Sequence, residues 1–214
     1  MDYSQTPVII IGTGAEARVA LDICNDLDVL VYGFLTEDQG EVHQELNDIL
    51  IVGELGGKDA ESLLKEEHTK LILAVREGEK RQELVEELSS KRADIITLVH
   101  PAASVSQYAR IGNGTLVYPQ ATIHANSMIG AYSLIMSGSV ISPDVVLGEN
   151  VTVEAGAVIG ANVVIEDECV IGAGAVIQPG LTIGRESLIG TGSTVLKDVP
   201  DNATVFGNPA QVVG

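Results

Sequence analysis

The chain contains four histidines, which are His43, His68, His100 and His124. Imidazole ordinarily titrates near neutral pH, so histidine is the side chain best suited to act as a general base. His43 and His68 stand in acidic segments that we expect to be exposed, and His100 stands at a junction where a structural role is expected. His124 lies inside a regular repeat, on a predicted corner. It is the candidate base, and an ordinary surface histidine is the alternative interpretation.

A glycine-rich turn near the start of the chain could hold a phosphate. Gly12-Thr13-Gly14 follows the apolar run 7–11 and precedes segment 15–27, which predicts a helix. The backbone N–H groups at a helix N-terminus bind anions, so this placement predicts a phosphate or sugar site. Ala17 stands where a G-x-G-x-x-G motif has its third glycine, so the full dinucleotide motif is missing. A plain strand-to-helix connection is the alternative.

A repeat of six residues organises the second part of the chain. Every sixth residue from Val99 to Val195 is Val, Ile or Leu, and the residue four places later is mostly small. This period fits neither an α-helix nor an alternating strand, but it fits a short strand followed by a tight turn. Three such units would close a triangular coil and stack about 4.8 Å from the next one. The sequence therefore predicts an uninterrupted parallel β-helix, whose exposed C-terminal end is capped by 197–214.

The first part of the chain alternates between strand and helix patterns. Strands are predicted at 7–11, 29–35, 49–52, 71–75 and 95–99, and helices at 15–27 and 79–89. Such alternation predicts a small parallel sheet with helices on its faces. The predicted fold class is therefore an α/β Rossmann-like N-terminal domain, 1–98, an all-β parallel β-helix domain of hexapeptide repeats, 99–196, and a tail, 197–214.

Composition excludes several classes of partner. The net charge is −18 and the pI is about 4.4, so the chain would repel nucleic acid and anionic membranes. The polar start predicts no signal peptide, and no apolar run is long enough to span a membrane. Cys24 and Cys169 lie far apart and predict two buried, reduced thiols. We expect a cytoplasmic protein.

The chain resembles the sialic acid and bacillosamine acetyltransferase family, which are nucleotide-sugar O- and N-acetyltransferases. The resemblance implies a nucleotide-sugar-binding domain, a left-handed β-helix, assembly as a homotrimer, and acetyl-CoA as the acyl donor without a metal. Its markers extend over nearly the whole chain: Val8-Ile-Ile-Ile-Gly-Thr-Gly, Gly33-Phe-Leu, Leu73-Ala-Val, Val99-His-Pro-Ala-Ala-Ser-Val and Val205-Phe-Gly-Asn-Pro-Ala.

The residues that match the family's catalytic positions differ from the family pattern. Pro143 stands where the family has its catalytic histidine, Asp144 matches the acidic residue beside it, and Thr152 replaces a second histidine that contacts the acetyl group. His124 precedes Pro143 by one predicted coil and is displaced by one residue. The resemblance therefore leaves His124 and Asp144 as the candidate catalytic residues, although a carboxylate is the weaker base.

The resemblance also implies substrate-binding residues in the first domain. Glu16 replaces a family histidine, Thr36 and Glu37 match an acidic pair, and Arg76 stands where the family usually has glycine. Arg76 could pair with a phosphate or carboxylate, or it could fill the pocket. The predicted substrate-binding residues are Gly12, Thr13, Gly14, Glu16, Thr36, Glu37 and Arg76.

On the acyl-donor side, Ala173 and Thr191 match positions whose backbone groups hold CoA in the family, and Lys197 could approach a CoA phosphate. Gln211 stands where many such proteins have Lys or Arg. The predicted acetyl-CoA-binding residues are Thr152, Ala173, Thr191 and Lys197, while turn geometry alone would also explain the glycines around them.

Two functions remain open from the sequence. The first is an acetyl-CoA-dependent acetyltransferase acting on a sugar or nucleotide-sugar, with its base altered or relocated. The second is an inactive family member with a binding or assembly role. A metal-dependent β-helix enzyme of the γ-carbonic-anhydrase type would need three converging histidines, and only His100 and His124 lie near or in the repeat, so no metal is expected.

Overall fold

The structure is a computed structural model, and it describes residues 7–64, 69–91 and 93–213. The chain divides into two compact units, Met1–Pro101 and Ala102–Gly214, called here the N-terminal unit and the C-terminal unit. No helix among the described residues is long and apolar enough to cross a membrane.

The N-terminal unit is built on a six-stranded sheet. Its elements are β1 (Val8–Ile11), α1 (Ala15–Asp26), β2 (Val31–Thr36), the short 3₁₀ helix η1 (Gln39–Glu41), β3 (Glu45–Leu46), β4 (Ile49–Glu54), α2 (Lys58–Leu64), β5 (Lys70–Leu73), α3 (Gly78–Ser90) and β6 (Asp94–Ile95), followed by β7 (Leu98–Val99) outside that sheet.

The strand order of this sheet is β3-β4-β2-β1-β5-β6, and every pair is parallel except β3 with β4. Strand β1 is the centre, and all four of its residues are buried, as expected for a parallel strand covered on both faces. The chain order reverses at β1, since β2 lies on one side and β5 on the other. This reversal creates a crevice at the carboxyl ends of β1, β2 and β5, which is where ligands bind in open α/β sheets.

The structure corrects four details of the predicted elements. The predicted strand 95–99 is two short strands, β6 and β7, and the predicted strand 71–75 ends at Leu73. Helix α2 and the β3–β4 hairpin were not predicted. The hairpin turn, Asn47-Asp48, has positive φ at both residues (50° and 65°), a conformation that Asn and Asp tolerate.

The C-terminal unit is a left-handed β-helix of very short strands. These are β8 (Ser104–Val105), β9 (Arg110–Ile111), β10 (Leu116–Val117), β11 (Thr122–Ile123), β12 (Met128–Ile129), β13 (Leu134–Ile135), β14 (Val140–Ile141), β15 (Val146–Leu147), β16 (Thr152–Val153), β17 (Val158–Ile159), β18 (Val164–Ile165), β19 (Val170–Ile171), β20 (Val176–Ile177), β21 (Thr182–Ile183), β22 (Leu188–Ile189), β23 (Thr194–Val195), β24 (Thr204–Gly207) and β25 (Ala210–Val212).

The six-residue period is confirmed as the spacing between successive strands, and three such units make one coil of this β-helix. Ile123 pairs with Ile141, and Ile141 pairs with Ile159, each one coil further along the axis. These three side chains are at most 1% exposed, so the repeated aliphatic residues form a buried column. Strands recur every six residues from β8 to β23, and no long loop interrupts them.

The small residues of the repeat form a second buried position, and several of their polar atoms bond to carbonyls of the next coil. Thr115 Oγ1 donates to the carbonyl of Gly130 at 2.9 Å, and Ser127 Oγ donates to the carbonyl of Ser142 at 3.0 Å. Cys169 Sγ lies 3.0 Å from the carbonyl oxygen of Gly184 in the same way. Hydroxyl and thiol groups are therefore tolerated inside the column because each has a partner.

Both cysteines are free and buried. Burial raises the pKa of the Cys24 thiol to about 12 and that of Cys169 to about 11. The reactive thiolate form is thus disfavoured in both, which suits structural rather than catalytic cysteines.

The tail after Val195 continues the sheet pairing before it turns back. Strand β24 pairs in parallel with β22, and β25 then pairs antiparallel with β24. This hairpin bounds a cavity of about 270 Å³ lined by apolar residues together with Lys197, Asp198 and Gln211. The tail therefore extends one sheet of the β-helix by two strands, and its capping role stays a prediction.

Candidate functional site

The crevice at the carboxyl ends of β1, β2 and β5 contains a pocket of about 450 Å³. It lies where the fold predicts ligand binding, at the reversal of strand order. All the residues that the sequence analysis assigned to substrate binding line this pocket: Gly12, Thr13, Gly14, Glu16, Thr36, Glu37 and Arg76.

The glycine-rich turn forms one wall of the pocket. Gly12 has φ of +107°, and a Cβ there would lie 2.6 Å from the carbonyl oxygen of Ala74, so no other residue fits without strain. Gly14 differs, since its φ is −73° and a Cβ would meet only a Glu16 oxygen, at 3.7 Å. Gly14 is the N-cap of α1, and no side chain in the described part of the chain caps that helix. The N-terminus of α1 is therefore open to a ligand anion.

A carboxylate from η1 ties two pocket walls together. Glu41 Oε2 accepts hydrogen bonds of 2.7 Å from the hydroxyls of both Thr13 and Thr36. These bonds, first from Thr36 and then from Thr13, lower the pKa of Glu41 below its usual value. Asp38 in turn caps η1 by accepting from the Gly40 N–H at 2.8 Å. The ends of β1 and β2 are thus fixed relative to each other.

The cations of the pocket are paired with carboxylates. Arg76 Nη1 lies 3.6 Å from Glu16 Oε1, and Lys80 Nζ lies 2.6 Å from Glu37 Oε1. Lys80 also approaches Glu83 at 3.5 Å, and its pKa is raised, chiefly by the Glu37 hydrogen bond. The acidic lining residues outnumber Arg76 and Lys80; they are Glu16, Glu37, Asp38, Glu41 and Glu77. The rim of the pocket is therefore largely acidic, with Arg76 and Lys80 as its cations.

Glu41 and Lys80, two lining residues whose side chains contact predicted site residues, were missed from the sequence. Lys80 lies near the start of α3, a few residues after Arg76, and its place shortly after a predicted strand is the signal that the sequence offers for it. Glu41 has no local signal, because its partner Thr13 lies 28 residues away.

The predicted catalytic residues lie at one corner of the β-helix. The register of β11 with β14 places His124 beside Ser142, one coil before and one residue offset from Pro143. His124, Pro143 and Asp144 are exposed. Asp144 has φ of +59°, and its Oδ1 accepts from Asn126 Nδ2 at 3.0 Å. Among the described residues, the His124 imidazole makes no hydrogen bond or ion pair.

The predicted acetyl-CoA residues are divided between two places. Ala173 and Thr191 occupy equivalent corners of successive coils, and the Gly192 N–H donates to the Ala173 carbonyl at 2.8 Å. The Ala173 N–H itself donates to Glu154 Oε2 at 2.9 Å. Thr152, two residues before Glu154, is 2% exposed. Lys197 lies apart from these, at the cavity bounded by the β24–β25 hairpin.

The remaining histidines lie outside these sites. His100 Nε2 lies 3.0 Å from Asp26 Oδ2 and is largely buried, in keeping with a structural role. His43 is exposed and lines a separate cavity of about 470 Å³ between η1 and α2, while His68 lies outside the described residues. Across 7–64, 69–91 and 93–213, no group of three or more His, Cys, Asp or Glu side chains could hold a metal ion.

The repeat and the fold match known proteins. Residues 129–161 and 162–197 match the bacterial transferase hexapeptide family (six repeats). No curated protein sequence matches the chain.

Solved structures match over nearly the full chain. A histidine-to-alanine variant of GDP-perosamine N-acetyltransferase from Caulobacter crescentus, in complex with CoA and GDP-perosamine, is 26% identical with a TM-score of 0.91, covering 100% of both chains. The acetyltransferase domain of PglB from Neisseria gonorrhoeae, in complex with acetyl coenzyme A, is 25% identical with a TM-score of 0.87, covering 97% of this chain and 98% of that one. WeeI from Acinetobacter baumannii is 25% identical with a TM-score of 0.87, covering 98% and 100%.

The family likeness predicted from the sequence is therefore confirmed: residues 129–161 and 162–197 match the hexapeptide-repeat family, and the chain is similar over nearly its full length to these acetyltransferases.

Proposed function

We propose that the protein transfers an acetyl group from acetyl-CoA to a sugar carried on a nucleotide. The observation that carries this proposal is the pocket at the carboxyl ends of β1, β2 and β5, whose open α1 N-terminus and Arg76 suit a diphosphate. It stands in a fold shared over 100% of the chain with a protein whose structure contains CoA and GDP-perosamine.

The nucleotide would bind in the N-terminal unit. Its phosphates would accept from the N–H groups at the start of α1 and from the Arg76 guanidinium, which is 47% exposed at the side chain. The Thr13–Glu41–Thr36 bridge would hold the pocket walls in place before the nucleotide arrives, so little ordering remains to be done on binding.

Acetyl-CoA would bind along the β-helix at the corner of Ala173 and Thr191. Thr191 is exposed there, and the backbone is close-packed beneath it, since a Cβ on Gly172 would lie 2.6 Å from the Thr191 nitrogen. The Ala173 N–H, however, already donates to Glu154. Acetyl-CoA could therefore bond to the Ala173 N–H only if Glu154 moved, whereas contact with Thr191 needs no rearrangement.

The transfer needs a base that removes a proton from the acceptor amine or hydroxyl. The acceptor atom then bonds to the thioester carbonyl carbon, the carbon–sulfur bond breaks, and CoA leaves as a thiolate that takes up the proton. His124 is the base in this proposal, because it is exposed on the coil next to Pro143 and its imidazole is not engaged by any described residue. Asp144, fixed by Asn126, would lie at the same corner as an acidic partner.

We further propose that three copies assemble through their β-helices. A closed ring of identical subunits needs two different complementary surfaces on each copy. The β-helix has two rows of exposed apolar side chains on neighbouring sheets. Met128, Val146 and Val164 form one row, and Val158 with Val176 forms the other; all are 36–49% exposed. Such rows on a monomer favour burial against another subunit. The cytoplasmic location stays a prediction from the sequence.

The proposal is tested first by binding and then by turnover. Calorimetry with acetyl-CoA should show saturable binding, and release of free CoA should follow on addition of GDP-, UDP- or dTDP-linked amino sugars. Failure to bind acetyl-CoA at millimolar concentration would exclude an acetyltransferase.

Pro143 favours a second candidate, an inactive relative that keeps the binding sites. Proline carries no titratable group at the position where the resemblance implies a base. Binding of both acetyl-CoA and a nucleotide-sugar without release of CoA would identify this second function.

A further inference from the structure

Arg81 stands out because it is a cation in an unfavourable place. It is 0% exposed and lies in the first turn of α3. A buried guanidinium loses its hydration, and the N-terminus of a helix carries partial positive charge, so burial and the helix dipole both disfavour a cation here. Residues that are unfavourable for the local structure, as Arg81 is here, are expected mainly at functional sites.

The side chain of Arg81 holds the loop that follows β5. Its Nη1 donates to the carbonyl of Val75 at 3.0 Å and to the carbonyl of Arg76 at 2.8 Å. Both residues line the pocket. One nitrogen bridging two consecutive carbonyls fixes the direction of the peptide between them, and it therefore fixes where the Arg76 side chain starts.

The Arg76 side chain is restrained at its other end by Glu16. The guanidinium lies 3.6 Å from the Glu16 carboxylate, whose side chain is 10% exposed in the first turn of α1. Arg76 is thus held by Arg81 at its main chain and by Glu16 at its tip, and the guanidinium stays open to the pocket beside the N-terminus of α1.

We propose that Arg81 is a positioning residue, which aims the Arg76 guanidinium at a phosphate of a nucleoside diphosphate; this inference rests on nucleotide binding in the pocket. A long side chain that must be immobilised on binding costs conformational entropy, and restraint before binding removes part of that cost. Arg81 supplies the restraint without touching the nucleotide.

A double-mutant cycle separates positioning from general structural support. GDP, UDP and dTDP are titrated calorimetrically into the full-length protein and into the variants Arg76→Ala, Arg81→Met and Arg81→Lys, and into both double variants with Arg76→Ala. Whichever diphosphate binds the wild-type protein, Arg76→Ala and Arg81→Met should each lower its affinity by about tenfold. Arg81→Lys, which keeps the charge and can reach a carbonyl, should recover part of that loss. In the Arg76→Ala background, neither change at Arg81 should weaken binding further.

Leu88→Ala is the matched control for a loss of packing in the same helix. Leu88 is 0% exposed on α3 and does not line the pocket, so its truncation should lower the unfolding temperature without changing nucleotide affinity. If Arg81→Met proves unfolded, Arg81→Lys carries the cycle alone.

Two results would overturn the positioning role while nucleotide binding stands. One is an equal loss of affinity from the Arg81 variants with and without Arg76, and the other is unchanged affinity in Arg76→Ala. If none of the three diphosphates binds the wild-type protein, nucleotide binding in the pocket fails and the positioning role fails with it.

Discussion

Thr13 and Glu41 are joined by a hydrogen bond of 2.7 Å, although 28 residues separate them in the chain. Glu41 accepts a second bond from Thr36, so one carboxylate connects the turn after β1 to the end of β2. A carboxylate that accepts such bonds is favoured in its charged form, which is why its pKa is lowered. The bridge is therefore a property of the ionised side chain.

Replacing Glu41 by Gln should reduce stability in a pH-dependent way. Because the pKa of Glu41 is lower in the folded than in the unfolded state, its contribution is fully present above the unfolded value, about 4.3, and is lost as pH falls through the folded value. The free energies of unfolding of wild type and Glu41→Gln, measured in urea, should differ most above about pH 5 and should converge in more acidic buffer. Glu45→Gln, an exposed carboxylate on β3 outside the pocket, is the control. A difference that stays constant down to pH 3 would contradict the bridge.

The two glycines of the first turn should respond differently to the same substitution. Gly12→Ala should cost more than about 2 kcal/mol of unfolding free energy, because of its φ of +107° and the Ala74 carbonyl 2.6 Å away. Gly14→Ala should leave stability nearly unchanged, yet it should weaken nucleotide binding because a methyl group is added at the open N-terminus of α1. Denaturant unfolding and calorimetry on both variants check this pair. Equal destabilisation by Gly12→Ala and Gly14→Ala would show that the backbone at Gly12 accommodates a Cβ without strain.

Assembly through the β-helix should be sensitive to charge on either apolar row. Val146→Lys and Val158→Lys, one on each sheet, should each convert a trimer to monomers, because a charge would be buried at the subunit contact. Light scattering after size-exclusion chromatography measures the mass. Leu30→Lys, on an exposed leucine of the N-terminal unit, should leave the trimer intact. A monomeric wild-type protein would refute the trimer itself.

The regular parts of the fold could be predicted because the same residue type recurs there at every position with the same environment. Ile123, Ile141 and Ile159 occupy the same inward position of successive coils, so the period of six fixes the architecture without any knowledge of contacts. Gly12 was predicted at the site because a strand pattern precedes it and a helix pattern follows it, whereas Thr36 and Arg76 were assigned through the family resemblance. All three line the pocket, since β1, β2 and β5 end at one edge of the sheet.

Other features could not be predicted because they depend on pairs that are distant in sequence. The sequence shows no periodic pattern for the bond between Glu41 and Thr13. The same is true of the burial of Arg81 against the Val75 and Arg76 carbonyls. The Ala173 N–H was expected to be available to CoA, but the approach of Glu154 from the preceding coil could be seen only in the structure. Side-chain contacts across coils are set by rotamers, which the repeat does not specify.

The corner of His124 and Pro143 offers the decisive test of catalysis. If His124 is the base, His124→Ala should lower kcat by about 100-fold or more with little change in the KM for acetyl-CoA, because a base acts on the acceptor in the transition state. Asn126→Ala, which frees Asp144 but leaves His124 in place, should have a smaller effect on kcat. Pro143→His would place an imidazole on the coil after that of His124, one residue further along the corner. It should raise turnover if an imidazole at that position can act as the base. Unchanged turnover in His124→Ala, together with a gain in Pro143→His, would show that His124 is not the base and that the wild-type reaction uses another group.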